Sequence, residues 1–491
     1  MPPLFERIES VGLAHFSYVL AADGEAVVID PRRDVDAYVE LTARHGMRVA
    51  HVLETHRHED FVLGSVELAE RTGARIWHAD AGETYRYGEA VEPRQRWRIG
   101  DRTLEALPTP GHTAGHVAYV LREAGGTPEM LFSGDALMAG ELGRTDLAGD
   151  ERAEEAAEQL HQSLQRVILP LGDGVLLCPA HGGGSACGAA IADRPWTTLG
   201  LEWRLSPKLS LRRDEFVVLH AEQSRALPVP PYFARMREAN LDPPRMPRPA
   251  EPEPLSPAEF AARAEDGALV LDTRSKDCFA AAHVPRSLFI QLDEIGAWAG
   301  WMLDADSPLL LVTEGADASE AVRQLVRLGF DRIAGVLDGG GMMRWLTSGH
   351  PGSEYGTPDA RELFYWLSGS AEEAERVLGD GGCGRGGCGC GHGHAGAGVH
   401  VLDVRRTAEL EQSGVIGGAQ HIPLHELRAR IGEVPRDRPV TVVCSTGVRS
   451  MTGASLLERA GRCELDVMLG GMTAWRALDL PVERPAAAAR A

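Results

Sequence analysis

The first half of the chain alternates short apolar runs with amphipathic stretches. Val27-Val28-Ile29-Asp30 is a β-branched run ending in an acid, which predicts a buried strand that delivers a polar residue at its end. Residues 34 to 45 are amphipathic and predict a helix. Val49-Ala50-His51-Val52-Leu53 is the next strand-like run, and it opens directly onto Thr55-His56-Arg57-His58-Glu59-Asp60-Phe61. A loop leaving a strand end is where several side chains can be aimed at one point. The alternation continues to about residue 235 and predicts a mixed α/β domain.

Asn240 to Pro257 holds seven prolines, at 243, 244, 247, 249, 252, 254 and 257. That density is incompatible with a packed helix or a central strand and predicts an extended linker. Beyond it the pattern repeats. Val270-Leu271-Asp272-Thr273-Arg274 returns as Val401-Leu402-Asp403-Val404-Arg405, and Ser319 returns as Ser450, both with an offset of 131 residues (403 − 272 and 450 − 319). Gly340 to Trp345 returns as Gly471 to Trp475. A near-constant offset through unrelated landmarks means two copies of one domain, each a small α/β unit with a mostly parallel sheet. The expected domains are residues 1–240, a linker at 241–257, a first copy at 258–355 and a second at 356–485. The second copy carries an insert at 379–398 with eleven glycines and Cys383, Cys388, Cys390, His392 and His394. Such a segment cannot bury a core; it is either unstructured or ordered by a soft metal.

Composition narrows the class. With 491 residues, two to four cores are expected. A hydrophobic content of 44% and a charged content of 25% suit a globular protein. A net charge of −21 argues against nucleic acid or an anionic membrane as partner. No apolar run is long enough to span a bilayer, and the N-terminus has no secretion-type apolar region. Eight cysteines in this length do not form a disulfide framework, and a cytoplasmic setting with reduced thiols is expected.

The candidate chemistry gathers at predicted strand ends. His56 follows one, His112 lies in Pro108-Thr109-Pro110-Gly111-His112, and Asp135 ends Phe132-Ser133-Gly134-Asp135. Two histidines and a carboxylate brought together this way make a catalytic metal site. His51 and His78 read as ordinary core or surface residues. Position 61, where such a motif usually carries a further histidine, is Phe, which argues against a two-metal site.

With Thr55 to Asp60, Pro110-Gly111-His112-Thr113, Ser133-Gly134-Asp135 and Pro179-Ala180-His181-Gly182, the first domain resembles the metallo-β-lactamase superfamily. Gly143-Arg144-Thr145-Asp146, the run from Ala180 to Gly188, and Pro230-Pro231-Tyr232-Phe233 make it similar to the persulfide dioxygenase branch in its fusions with rhodanese domains. The resemblance implies an αββα sandwich and one non-haem Fe(II) held by His56, His112 and Asp135, with positions open for a persulfide and O2. It places His58, Asp60 and His181 around those ligands rather than on the ion. Arg144 either meets a substrate carboxylate or pairs with a nearby acid. Cys187, in a glycine-rich loop after His181, is a candidate for contact with the persulfide, whereas Cys178 ends an apolar run and reads as buried and inert.

The two repeats resemble rhodaneses. In the second copy Cys444-Ser445-Thr446-Gly447-Val448-Arg449 links a strand to a helix, so the Cys444 sulfur sits among backbone N–H groups that stabilise a thiolate or persulfide. Arg449 is a partner for a sulfonate oxygen. The matching loop of the first copy, Thr313-Glu314-Gly315-Ala316-Asp317-Ala318, has no cysteine, no arginine and two acids, and is expected to be silent.

The function implied is Fe(II)-dependent oxidation of a low-molecular-weight persulfide to sulfite, with sulfane sulfur passing through Cys444 to or from thiosulfate. Two other classes stay open: a zinc thioester hydrolase of the glyoxalase II kind, and a non-catalytic sulfur carrier or sensor. Self-association is undecided.

Overall fold

The computed structural model describes residues 4–79, 82–188, 190–247, 251–315, 318–337, 340–368 and 398–484. Cys383, Cys388, Cys390, His392 and His394 lie outside the described residues. The chain divides into two compact units that are not contiguous in sequence. The first comprises Met1–Ala250, Gly296–Trp301 and Arg323–Asp331; the second comprises Glu251–Ile295, Met302–Val322 and Arg332–Ala491. In the first unit Arg327 donates twice to Asp34 at 2.7 Å, and both side chains are buried.

The first unit is built on two six-stranded sheets. One runs β1 (Leu4–Ser10), β2 (His15–Ala22), β3 (Glu25–Ile29), β4 (Arg48–Leu53), β5 (Arg75–His78), β6 (Glu89–Ala90) in spatial order. The other contains β7 (Arg96–Ile99), β8 (Arg102–Pro108), β9 (Val117–Arg122), β10 (Pro128–Gly134), β11 (Leu176–Pro179) and β12 (Thr197–Thr198), also in sequence order across the sheet. The alternation along β2 explains the layering. Phe16, Tyr18, Leu20 and Ala22 share one apolar cluster with Leu104 and Ala106 of β8 and Tyr119 and Leu121 of β9, so this cluster fills the space between the sheets. Val19 and Ala21 face the other way and pack with Tyr38 of the helix Asp36–Arg44. Leu107, Val120 and Leu131 of the second sheet meet Leu160 and Phe216 of the helices Ala153–Ser163 and Arg213–Arg225. The result is the αββα sandwich that the resemblance to the metallo-β-lactamase superfamily implies.

The second unit holds two parallel sheets. The first has the order β13 (Pro254–Leu255), β17 (Ile333–Leu337), β16 (Leu309–Val312), β14 (Leu269–Asp272), β15 (Leu288–Phe289). The second has β19 (Gln420–His421), β18 (His400–Asp403), β20 (Val440–Val443), β21 (Leu465–Val467). Read from the opposite edge, the second sheet repeats β17-β16-β14-β15, so the 131-residue repeat is a repeat of topology. In both copies the aspartate ending the central strand takes a paired bond from the arginine two residues on: Arg274 to Asp272 and Arg405 to Asp403. Among the described residues no helix is long and apolar enough to cross a membrane.

Candidate metal centre and transferase loop

Strand ends deliver the first constellation, as the sequence pattern requires. β4 leads to His56, β8 to His112, β10 to Asp135 and β11 to His181. Asp30, at the end of β3, accepts bonds from the Thr55 N–H and the Thr55 hydroxyl, both at 2.7 Å. Having given its only proton to Asp30, the Thr55 hydroxyl accepts from His56 Nδ1 at 2.9 Å, which leaves a lone pair on His56 Nε2. His112 Nδ1 donates to the Arg144 carbonyl at 2.9 Å, which fixes the same tautomer. His56 and His112 are both fully buried, and burial first of all drives their pKa below the ordinary value, so both are neutral.

The two Nε2 atoms lie 3.8 and 3.5 Å from Asp135 Oδ2. Two lone pairs and a carboxylate thus face one another with no proton between them. Burial alone would raise the Asp135 pKa, but His181 and its neighbours outweigh that and hold it well below the carboxylate range. Such a grouping is repulsive unless a cation sits inside it. The spacings suit the edges of a polyhedron with metal–ligand distances of about 2.1 Å. These residues therefore fit one metal ion.

The surroundings hold this set in place. His181 Nδ1 lies 2.7 and 2.9 Å from the two Asp135 oxygens, and its Nε2 lies 2.8 Å from Asp60 Oδ2. Burial opposes a charge on His181, but Asp135 and Asp60 overcome it and keep an imidazolium. The His58 ring packs tilted against that of His56, 3.9 Å between centroids, and lies 3.4 Å from Asp30 and 3.8 Å from Asp60. Its pKa is pushed up to about 9, with the two acids outweighing burial. His58, Asp60 and His181 form a second group of possible donors within 4.8 Å of one another. Phe61 is fully buried and packs against the rings of His15 and His58, at 4.1 and 4.6 Å between centroids.

Three residues named from sequence have specific surroundings. Arg144 is buried and grips Asp146 at 2.7 and 2.5 Å, and it also donates to the Pro228 and Leu227 carbonyls. Of its two readings, pairing with a nearby acid is the one the geometry contains. Cys187 comes within 4.8 Å of donor atoms on Asp135 and His181. Burial, then Asp135, push its pKa up to about 12, so it is a thiol at neutral pH. Cys178 is buried between the sheets and burial raises its pKa strongly, in keeping with an inert thiol.

Three residues escape a reading based on motif spacing. Asn240 donates to the His58 and Phe61 carbonyls at 2.8 Å and accepts from the Leu63 N–H at 2.9 Å, clamping the whole histidine loop. His116 Nε2 accepts the Asp135 N–H at 3.1 Å. His15, at the start of β2, is buried against Phe61, and its Nε2 has no hydrogen-bond partner among the described residues. Asn240 arrives from the end of the helix Phe233–Ala239, His15 from the start of β2, and His116 from the same loop as His112.

The second constellation is the loop between β20 and the helix Val448–Arg459. Cys444 is buried, and the Gly447 N–H points at its sulfur from 3.1 Å. Gly447 has φ of +103°. Arg449 does not stand free: it donates to both Glu409 oxygens at 2.6 and 2.7 Å, and Ser445 Oγ donates to Glu409 at 2.7 Å. Glu409, on the helix Thr407–Ser413, carries no motif signal of its own. In the first copy its counterpart by the 131-residue offset is Cys278 (409 − 131), and the counterpart of Ser445 is Glu314 (445 − 131). Glu314 accepts from the Ser275 N–H and hydroxyl at 3.2 Å. A carboxylate stands in that loop where the second copy has a hydroxyl.

Comparison with known proteins follows the same division. Residues 11–181 match the family model "Metallo-beta-lactamase superfamily", and residues 256–347 and 393–478 match "Rhodanese-like domain". The persulfide dioxygenase ETHE1 of Bos taurus is 30% identical over 235 residues, covering 44% of this chain and 80% of that protein. The chain belongs to the metallo-beta-lactamase superfamily, in a form that carries two rhodanese-like domains. A hydroxyacylglutathione hydrolase of Chromohalobacter salexigens is 34% identical over 160 residues, covering 33% of this chain. The chain spans only 58% of that hydrolase and 63% of its counterpart from Acidiphilium cryptum. A metallo-beta-lactamase structure from Staphylococcus aureus aligns over 68% of this chain and 98% of its own, with a TM-score of 0.60 and 27% identity.

Proposed function

We propose that this protein is an iron-dependent persulfide dioxygenase joined to a thiosulfate sulfurtransferase. The observation that carries the reading is the set of three unprotonated donors, His56, His112 and Asp135, converging on one point beside a position filled by Phe61. Two imidazoles and one carboxylate leave several coordination positions open. Iron bound there supplies the activation of O2 that redox-inert zinc does not.

The chain's own groups do the rest. Thr55 and the Arg144 carbonyl keep the proton of each histidine ligand away from the centre. The His181 imidazolium, set between Asp135 and Asp60, orients the carboxylate ligand and is placed to move a proton along that line. Phe61 and the buried rings around it keep bulk water out. The overall change converts R–S–SH, O2 and water into R–SH, sulfite and two protons, with the outer sulfur giving four electrons to O2. At the second site the Cys444 thiolate attacks the outer sulfur of thiosulfate. The S–S bond breaks, sulfite leaves with the electron pair, and Cys444 holds a persulfide; a thiol then takes its outer sulfur, and the Cys444 thiolate leaves. The same exchange run backwards forms thiosulfate from the sulfite made at the first site.

A second reading keeps support from the hydroxyacylglutathione hydrolase relatives and from the second donor group of His58, Asp60 and His181. It is a dinuclear thioester hydrolase. An oxygen electrode with glutathione persulfide separates the two. The dioxygenase reading expects O2 uptake with sulfite as product and negligible hydrolysis of S-lactoylglutathione; the reverse pattern supports the hydrolase.

A further inference from the structure

Arg449, the cation that the loop sequence offers to an anionic substrate, has both ends of its guanidinium taken by Glu409. Glu294, of the first copy, adds a negative charge near enough to act on it. The Cys444 loop therefore gains little net positive charge from its own copy. Yet thiosulfate is a dianion, and the sulfite that leaves is another.

The helix that starts at this loop is docked on the first copy, within the second unit. The Phe289 N–H donates to Ser455 Oγ at 3.1 Å. Tyr355 donates to Glu458 at 2.7 Å, and His283 Nε2 lies 3.0 Å from the same carboxylate. At the loop end the contact comes from Lys276: a Cβ placed on Gly447 would stand 3.5 Å from the Lys276 Cε. Gly447 is the residue whose N–H points at the Cys444 sulfur. Lys276 opens the helix Lys276–Ala281 of the silent copy, is half-buried, and makes no ion pair among the described residues.

Resting on the sulfurtransferase reading, we propose that the silent copy supplies Lys276 as the cation that binds the sulfonate end of the substrate at the Cys444 loop. The first copy has Thr313 where its twin has the nucleophile, but its helix sets the Lys276 side chain beside Gly447 of the twin's loop, with no ion pair among the described residues. The lysine takes no part in the bond exchange: sulfur passes from thiosulfate to Cys444, sulfite leaves with its electron pair, and the ammonium balances charge on the oxygens throughout. An attraction of this kind acts mainly on binding and weakens with salt.

The test is thiosulfate:cyanide sulfur transfer by the full-length chain in wild-type, Lys276→Met and Lys276→Arg forms, each at low and high salt. Lys276→Met should raise the KM for thiosulfate about three- to tenfold with kcat within about twofold, and its KM should lose most of the salt dependence. Lys276→Arg should stay near wild type. An unchanged KM and an unchanged salt response in Lys276→Met would overturn the proposal. So would a fall in kcat shared by Lys276→Arg, which would mark a merely structural role. A wild-type chain with no Cys444-dependent transfer would remove the sulfurtransferase reading itself, and this inference with it.

Discussion

Glu409 holds Arg449 by two short bonds, 2.6 and 2.7 Å, and the same carboxylate takes the Ser445 hydroxyl. One acid thus fixes two residues of the six-residue loop that carries Cys444. Its pKa is brought down to about 2: burial works against this, and the Arg449 and Ser445 bonds outweigh it. A depressed carboxylate pKa means stability that is present above the ordinary value of 4.5 and is lost as pH falls from there towards 2. Glu409→Gln should therefore destabilise the protein at pH 7, and the gap to wild type should close on acidification through that window. Urea unfolding at a series of pH values measures it. Transfer turnover should drop about tenfold because the loop loses its anchor. A stability gap independent of pH would refute the assignment.

The Cys187 thiol, with its pKa near 12, should resist alkylation. Mass spectrometry after iodoacetamide treatment should find the exposed Cys278 and Cys463 modified at pH 8 and Cys187 untouched, with no rise for Cys187 up to pH 10. Cys187→Ser should keep its metal, and a changed KM for persulfide would place the thiol beside substrate. Rapid labelling at pH 8 would show that burial is not controlling this thiol.

Arg144 and Asp146 are both almost fully buried. Arg144→Met leaves Asp146 as an unpaired buried charge, at a cost of about 3–5 kcal/mol. The variant keeps the Arg144 main-chain carbonyl that orients His112, but loss of the side-chain anchors frees that segment, so metal affinity should also fall about 10- to 100-fold. Adding Asp146→Leu should recover much of the stability. Denaturant unfolding of the metal-free protein, with metal titration alongside, checks both effects. A single variant as stable as wild type would contradict the pairing.

The first copy gives a fourth test. In a Cys444→Ser background, Thr313→Cys alone should give no thiosulfate:cyanide transfer, because Glu314 stands beside the new sulfur and position 318 is Ala. Exchanging residues 313–318 for the sequence of 444–449 should do better. Cys444→Ser itself should abolish transfer yet leave the metal content unchanged. Substantial transfer from Thr313→Cys alone would show the charge argument to be wrong.

The architecture is legible in the sequence because it follows from period. β2 alternates its apolar residues between two cores, and the repeat at 131 residues preserves strands as well as side chains. His56, His112 and Asp135 are legible because strand ends place them. Asn240 and Glu409 are not, since each acts on a loop far away in sequence, 182 residues from His58 and 40 from Arg449. The thiol state of Cys187 is hidden for another reason: a glycine-rich loop suggests exposure, and only packing shows that Cys187 is buried beside Asp135. The compact units are likewise a product of long-range contact, such as Arg327 with Asp34, that no local pattern marks.

The central claim is a single oxygen-activating iron at His56, His112 and Asp135. Its most direct test is metal analysis of anaerobically purified protein, coupled to O2 uptake on glutathione persulfide for the same samples. The account predicts about one iron per chain and about one O2 per persulfide, with both lost in His56→Ala and Asp135→Ala. Two tightly bound zinc ions per chain, with thioester hydrolysis and no O2 uptake after iron loading, would contradict it.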